Sequence, residues 1–181
     1  MNQSKIFLLI GGLGVGFLLG GMILWIGSPR LDTSASVEPP LPKIGSPIPS
    51  FDLPDVDGRM ISNKEYLGTP LMINFWATWC APCKLEMPLL QKTAKRYEKS
   101  LTVFAVNFDE PKETVIKYVS QNSIDIPVVL DESGAMANSY GVHAFPVTFF
   151  IDKEGILQSI HIGQLSEVLV KTYLKTIGIT E

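Results

Sequence analysis

Cysteine and histidine are scarce in this chain of 181 residues, which has two of each. Both cysteines belong to one Cys-x-x-Cys segment, Cys80 to Cys83, and a single pair is too few for the disulfide framework of a small secreted domain. A structural zinc site needs four ligands, and neither His143 nor His161 lies at a ligand spacing from the cysteines. The shortage therefore favours a redox-active dithiol, and we expect neither a metal nor another cofactor.

The chain also lacks an excess of positive charge. Lysine and arginine total 15 against 18 acidic residues, which gives a net charge of -3 and a pI near 5.4. Lys92, Lys95, Arg96 and Lys99 fall close together on one predicted helix, where a solvated face explains them. Because nucleic acid binding requires a basic surface, we expect no nucleic acid partner.

One long segment has no charge at all. Ile6 to Gly27 carry no strongly polar side chain, and a helix of about 20 such residues crosses a bilayer. A cleaved signal peptide has a shorter apolar core of about 7–15 residues, although residues 34–36, Ser-Ala-Ser, would suit cleavage. Lys5 precedes the segment, while Arg30 after it is offset by acidic residues. We therefore predict an uncleaved membrane anchor with a cytoplasmic N-terminus and the remaining chain outside the cell membrane.

Two further segments follow the predicted anchor, which occupies residues 1–27. Residues 28–43 are rich in proline and serine and show little apolar periodicity, which is the composition of a partly extended tether. Residues 44–181 are enough for one ordinary domain. The predicted organisation is thus an anchor, a tether and a single folded domain.

The patterns within the domain alternate between strand and helix. Leu71 to Ala77 is a nearly unbroken apolar run, typical of a strand buried on both faces of a sheet. Lys84 to Glu98 carries Leu85, Leu89, Thr93 or Ala94, and Tyr97 at helical spacing, which predicts a helix that buries this side. The other predicted elements are a hairpin at 51–61 around Asp57-Gly58 and strands at 101–107, 126–130, 147–151 and 156–162. Helices are predicted at 134–140, at 165–177 and from the opening residues 109–111 to 122, with Pro111 suited to the first helical position. This order predicts an α/β domain with a mixed sheet between helices.

The cysteines fall where the buried strand gives way to a helix. Unpaired backbone N–H groups and the helix dipole stabilise a thiolate at a helix start, which lowers the pKa of a cysteine thiol below its ordinary value of about 8.5. Cys80 lies nearer the helix start and should gain most. Cys83 is one turn further along and close enough to form a disulfide with it. Position and spacing therefore predict thiol-disulfide exchange at this pair.

The segment around the cysteines resembles a known family. Residues 75–84, Phe-Trp-Ala-Thr-Trp-Cys-Ala-Pro-Cys-Lys, resemble the active-site segment of the thioredoxin superfamily, with Pro88 at the usual kink position. With Glu86 and residues 145–152, the pattern is similar to the membrane-anchored ResA and TlpA group of thiol-disulfide oxidoreductases. This resemblance, which spans about residues 44–178, implies a three-layer thioredoxin-like fold with an N-terminal β-hairpin and an α-β pair inserted near residues 111–130.

The resemblance also implies a site around the sulfurs. Pro146 corresponds to the cis-proline that faces the dithiol in this superfamily, where a cis bond exposes backbone at Phe145 and Val147 to an extended substrate segment. From the residues alone, an ordinary trans turn proline is the alternative. Trp79, directly before Cys80, is either an apolar contact for substrate or a core residue.

Asn74 and Glu86 mark a departure from thioredoxin. Thioredoxins carry a buried Asp at the position of Asn74, and an amide cannot act as a base. Glu86 lies three residues after Cys83 on the same side of the helix, and the ResA-like group has an acid there. We hypothesise that partial burial raises the pKa of Glu86 and that its carboxylate moves protons to and from Cys83. The alternative is a solvent-facing glutamate near Lys84 or Lys92.

The function implied by the resemblance is that of a reductant outside the cytoplasm. Cys80 would attack disulfides in exported proteins, such as the haem-binding cysteines of apocytochrome c, and Cys83 would resolve the mixed disulfide. A membrane thiol-reductant donor would then recharge the pair. One alternative is a peroxiredoxin-type thiol peroxidase, although residues 75–83 lack the Pro-x-x-x-Thr-x-x-Cys motif. Another is a metal chaperone or assembly scaffold that binds through the Cys-x-x-Cys.

Overall fold

A computed structural model of the chain describes residues 41–180. The predicted transmembrane helix and most of the predicted tether lie outside these residues. Among residues 41–180, no helix is both long and apolar enough to cross a membrane. The described residues contain the whole predicted domain except its last residue.

The domain begins with a short antiparallel hairpin, as the alternating pattern at 51–61 predicts. Strands β1 (Asp52–Pro54) and β2 (Met60–Ser62) pair with each other in a separate two-stranded sheet. Gly58 in the turn has a φ of 86°, a left-handed conformation that glycine adopts without strain. A 3₁₀ turn, Asn63–Tyr66, then leads into the main sheet.

Five strands form the central sheet, in the order β5-β4-β3-β6-β7. Their bounds are Leu71–Trp76 (β3), Thr102–Phe108 (β4), Val128–Asp131 (β5), Val147–Ile151 (β6) and Leu157–Ile162 (β7). β3 pairs in parallel with β4 and antiparallel with β6, and all of its residues are buried. The predicted central strand and mixed sheet are confirmed, because an apolar run without alternation fits a strand that is covered on both faces.

Helices cover both faces of this sheet. They are Ala81–Arg96 (α1), Lys112–Gln121 (α2), Ala135–Ser139 (α3) and Glu167–Thr176 (α4). On one face, Met72 and Trp76 of β3 join a core cluster with residues of α1, α2 and α4. On the other face, Ile73 and Phe75 join a cluster with α3 and the hairpin. Alternate side chains of β3 thus supply two cores, and the architecture is the three-layer thioredoxin-like one.

The α-β pair predicted near residues 111–130 corresponds to α2 and β5. β5 adds an edge strand in parallel beside β4. The hairpin turn covers part of this edge, since the Val56 N–H donates to the Val128 carbonyl at 3.1 Å, and such cover protects an edge from pairing with another chain. α2 begins at Lys112, so Pro111, which was predicted to take the first helical position, is its N-cap instead.

The buried face of α1 differs from the predicted one. The helix begins at Ala81, three residues earlier than expected, and Leu85 is 70% exposed. The side chains that α1 buries are Cys83, Glu86, Met87, Leu90 and Thr93. The prediction that Leu85 faces the interior is therefore wrong. Apolar spacing alone assigns an acid such as Glu86 to the surface, and the partial burial of Glu86 was hypothesised separately, beside the family resemblance. Here hydrogen bonds to Glu86 in the interior reverse that assignment.

Candidate active site

The two cysteines form a disulfide at the start of α1, with Cα atoms 5.3 Å apart. Cys80 is the N-cap residue, and its N–H donates to the Ala77 carbonyl at 3.1 Å. Its sulfur accepts a hydrogen bond from the Cys83 N–H at 3.3 Å. An amide of the first helical turn is thus aimed at the Cys80 sulfur, where it stabilises negative charge once the disulfide is reduced.

The two sulfurs differ in access to solvent. Cys80 is 5% exposed, whereas Cys83 is completely buried. A disulfide in another protein can therefore approach Cys80 but not Cys83. This difference favours the predicted order, in which Cys80 makes the first attack and Cys83 resolves the mixed disulfide, and the two roles stay predictions.

An aromatic surface adjoins the dithiol. Trp79 is 62% exposed, so the interpretation of this residue as part of the core is excluded. Its ring meets the ring of Phe145 edge to face, with centroids 5.7 Å apart. The Phe145 ring in turn packs against Phe108 at 4.9 Å. These rings offer apolar contact area directly beside Cys80.

The peptide bond between Phe145 and Pro146 is cis, as the family resemblance implies. Phe145 is partly exposed and Pro146 is buried. Val147 is buried in β6, where it lies between Phe75 of β3 and Ile162 of β7. A substrate segment would therefore meet the backbone and ring of Phe145, and Val147 could contribute through its backbone alone. The predicted roles of these three residues in binding stay predictions.

Glu86 is a buried acid. It is 1% exposed, which excludes the alternative of a solvent-facing glutamate. One carboxylate oxygen accepts from the Asn74 side-chain amide at 2.8 Å, and the other accepts from the Leu165 N–H at 2.8 Å. Burial raises the pKa of Glu86 above its ordinary value, and the hydrogen bonds from Leu165 and Asn74 oppose this shift without cancelling it. A carboxyl group with a raised pKa is thus held one helical turn from Cys83.

Asn74 orients Glu86 from the neighbouring strand. Its amide nitrogen donates both of its hydrogens, to Glu86 and to the Thr148 hydroxyl oxygen at 2.9 Å. Its oxygen is buried and has no hydrogen-bond partner among the described residues. Asn74 therefore acts as a donor to the acid, in keeping with the expectation that an amide here cannot be the base.

A second buried acid, Glu110, holds the loop that carries the first cysteine. Its carboxylate accepts from the Thr78 N–H at 2.7 Å, from the Thr78 hydroxyl at 2.5 Å and from the Asn107 side-chain amide at 2.8 Å. Sequence reasoning assigned Glu110 only to the start of a helix. The available signal was its position just after β4, because the parallel strands β3 and β4 end at the same edge of the sheet.

We expect Glu110→Ala to loosen the turn that places Cys80 at the helix start. The loss of acceptors for Thr78 and Asn107 should lower the free energy of unfolding by roughly 1–3 kcal/mol. With the turn loosened, the reduced Cys80 thiol should ionise at a higher pH, which thiolate absorbance at 240 nm measures. Glu110→Gln should preserve the ionisation of Cys80, because its oxygen can accept both N–H groups while its nitrogen donates to the Thr78 hydroxyl.

The matched control is Asp152→Ala. The Asp152 carboxylate also accepts three hydrogen bonds, from the N–H groups of Glu154 and Ile156 and from the Gln158 side chain. It follows β6 at the end of the sheet away from Cys80, since Ile151 lies opposite Leu71 at the first residue of β3. Asp152→Ala should cost stability and leave Cys80 ionisation unchanged. Equal ionisation of Cys80 in wild type and in Glu110→Ala would contradict the positioning role.

Comparison with known proteins agrees with this geometry. Residues 44–160 match the AhpC/TSA family. Thiol-disulfide oxidoreductase ResA of Geobacillus thermodenitrificans is 37% identical over 135 residues, which cover 74% of this chain and 78% of that protein. The crystal structure of the exposed lipoprotein thioredoxin Etrx1 of Streptococcus pneumoniae is similar with a TM-score of 0.66 at 28% identity, over 70% of this chain and 98% of that one. StoA of Bacillus subtilis gives 0.62 at 25% identity, over 71% and 98%.

Proposed function

Since this chain belongs to the AhpC/TSA family and is a thiol-disulfide oxidoreductase with a thioredoxin-like fold, we propose that it reduces disulfides in exported proteins. One observation carries the proposal. Cys80 lies at the start of α1, follows the exposed Trp79 and keeps 5% of its surface accessible, while its partner Cys83 is completely buried and Glu86 lies one turn further along the helix. A nucleophile that is more accessible than its resolving thiol is the arrangement that disulfide exchange requires.

The reaction begins from the reduced dithiol. The Cys80 thiolate attacks one sulfur of the substrate disulfide, and the other substrate sulfur leaves as a thiolate. Cys83 then loses its proton and attacks the Cys80 sulfur. The disulfide between Cys80 and Cys83 forms, and the second substrate thiolate leaves. Two electrons have passed from the enzyme to the substrate, which holds two thiols after protonation.

Glu86 handles the proton of the buried thiol. In its charged form it accepts the Cys83 proton, and in its neutral form it returns that proton to a departing thiolate. Hydrogen bonds from Asn74 and Leu165 keep the charged form available despite burial. Glu86 is the single acidic residue of α1, and the proposal therefore gives this role to Glu86.

The proposed setting is the outer face of the cell membrane. The uncharged segment at 6–27 and the proline-rich tether at 28–43 support a single-pass anchor with a cytoplasmic N-terminus. Because each turnover leaves the enzyme oxidised, a membrane thiol-reductant donor must return two electrons to the pair. The resemblance to the ResA and TlpA group supports apocytochrome c as one substrate.

A peptide assay tests the substrate class. The full chain, reduced and held in detergent micelles, is mixed with a Cys-x-x-Cys-His peptide in its disulfide form or with glutathione disulfide. We expect the peptide to be reduced at least about tenfold faster, because a peptide can contact the backbone and rings beside Cys80 while glutathione offers little contact area. Equal rates would remove the case for a protein substrate. Absence of reduction with an intact dithiol would overturn the reductase function.

The two alternative functions have their own diagnostic results. Peroxide consumption at a rate that exceeds disulfide exchange would favour a peroxidase. Stoichiometric metal binding without disulfide reduction would favour a chaperone or scaffold. In the described part of the chain, no group of three or more His, Cys, Asp or Glu side chains is placed to hold a metal ion.

A further inference from the structure

A row of polar side chains crosses three neighbouring strands beside Glu86. Asn74 of β3 lies opposite Thr148 of β6, and Thr148 lies opposite His161 of β7. Residues directly opposite one another in adjacent strands project from the same face of a sheet. His161 therefore shares the face of Asn74, the face on which Glu86 and helices α1 and α4 lie. In the sequence, the spacing of His161 from the cysteines excluded it as a zinc ligand and indicated no other role.

One peptide group separates His161 from Glu86. The Leu165 N–H, which donates to the Glu86 carboxylate at 2.8 Å, belongs to the peptide that joins Gln164 to Leu165. The carbonyl oxygen of that same peptide lies 3.4 Å from Nε2 of His161. Because a carbonyl can only accept, Nε2 carries the proton. Nδ1 then accepts from the Tyr173 hydroxyl at 3.3 Å, so a single neutral tautomer satisfies both contacts.

The two ends of a peptide group are electronically linked. A donor at the carbonyl oxygen polarises the group and makes its N–H a stronger donor in turn. Histidine acquires a positive charge within the pH range around 6.5, and that charge strengthens the polarisation. Glu86 accepts hydrogen bonds from two groups, the Asn74 side-chain amide and the Leu165 N–H, and both of these donors are neutral. On α4, Tyr173 is the titratable group bonded to His161, and Glu167 pairs with Lys92 of α1.

We propose that His161 is a positioning residue for Glu86, acting through the Gln164–Leu165 peptide to hold and polarise the N–H that binds the carboxylate. Protonation of His161 strengthens that hydrogen bond and stabilises the charged form of Glu86. Proton exchange at the buried acid thereby responds to pH at the partly exposed imidazole. The consequence for turnover rests on the proposed role of Glu86 in proton transfer, whereas the coupling itself does not.

The coupling is measured at the Leu165 amide by NMR. Gln-Leu occurs once in the sequence, at 164–165, so carbonyl-¹³C glutamine with ¹⁵N leucine gives a single carbonyl-selected amide signal from the full chain. We expect this amide proton to move downfield as the pH falls from 8 to 5 through the histidine range. The transition should vanish in His161→Phe, and equally in His161→Gln should the Phe variant fold poorly. It should persist in His143→Gln, which removes the other histidine. A transition that is absent in wild type, or unchanged in both His161 variants, would overturn the proposal.

A kinetic readout separates this inference from the proposed function. In His161→Phe, the acid limb of the pH profile for resolution by Cys83 should move to higher pH by about 0.3–0.5 pH unit, the size expected of one partly screened charge. Glu86→Gln should abolish that dependence on His161 while the Leu165 amide still responds to pH. One outcome is that the Leu165 amide responds to pH in the wild type while the pH profile of the resolution rate is the same in the wild type, His161→Phe and Glu86→Gln. The coupling then stands and the proton-transfer role of Glu86 fails. If the profile moves in His161→Phe without an amide response, the peptide relay is wrong.

Discussion

Replacing Cys83 with serine should trap the enzyme on its substrate as a stable mixed disulfide. Cys80 keeps its position at the helix start and its access to the surface, so the first attack goes on. Serine cannot attack the Cys80 sulfur and displace the substrate thiolate, because its hydroxyl is far from ionised at neutral pH and forms no disulfide. Turnover should fall by about three orders of magnitude or more, as for the loss of a reacting nucleophile.

Mass spectrometry of the full chain after incubation with a disulfide peptide gives the result. One peptide should be attached per molecule of Cys83→Ser, released by an added thiol reductant, and mapped to Cys80. The matched variant Cys80→Ser should give no adduct, since the remaining thiol is completely buried. A stable adduct on Cys83 in Cys80→Ser would reverse the assigned tasks of the two sulfurs.

Glu86→Gln should slow the resolution of the mixed disulfide by about 100-fold at neutral pH, the lower end of the range for a positioned acid-base group. Glutamine has nearly the same shape and can still accept one hydrogen bond from Leu165 or Asn74. It cannot take a proton from Cys83. Single-turnover kinetics with a mixed disulfide formed in advance isolate this step. The control is Glu167→Gln, at an exposed acid of α4 that pairs with Lys92, which should leave the rate of resolution unchanged. A rate in Glu86→Gln equal to that of the wild type would contradict the proton-transfer role of Glu86.

The same substitution should change stability in a pH-dependent way. Burial raises the pKa of Glu86 in the folded state above the ordinary value of 4.5. Between those two pKa values the folded state binds more protons than the unfolded state, so the contribution of Glu86 to stability falls as the pH rises through this window. Glu86→Gln should therefore gain stability relative to wild type as the pH rises above 4.5. Urea unfolding at several pH values measures the difference, and a pH-independent difference would contradict the burial argument.

Local sequence signals were sufficient for the elements that present the dithiol. The apolar run of β3 and the position of Cys80 before a helix depend on neighbours within a few residues, and both predictions match the structure. The α-β pair that forms α2 and β5 was expected from the family resemblance. Local patterns and the family resemblance thus place the two cysteines in the fold. They give less information about the side chains that hydrogen-bond around the cysteines.

The surroundings of Glu86 and Glu110 depend on contacts that are distant in sequence. Glu86 accepts from the amide of Leu165, 79 residues away, and Glu110 accepts from Thr78, 32 residues away. Because neither pairing leaves a periodic pattern, Leu85 was assigned to the buried face of α1 and Glu110 to a helix start. The contact of His161 with the Gln164 carbonyl likewise depends on the register of β6 and β7. In each case, hydrogen bonds between residues far apart in the sequence determine where the side chain lies, and a short stretch of sequence does not contain that information.

Electron balance is the most direct test of the central claim. Fully reduced full-length protein is mixed with an equal amount of a protein that contains a single accessible disulfide, and thiols on both partners are counted after acid quenching. The account predicts that two thiols disappear from the enzyme for every two that appear on the substrate, with the enzyme disulfide mapped to Cys80 and Cys83. Substrate that stays oxidised while the dithiol stays reduced, or substrate reduced equally by Cys80→Ser, would contradict it.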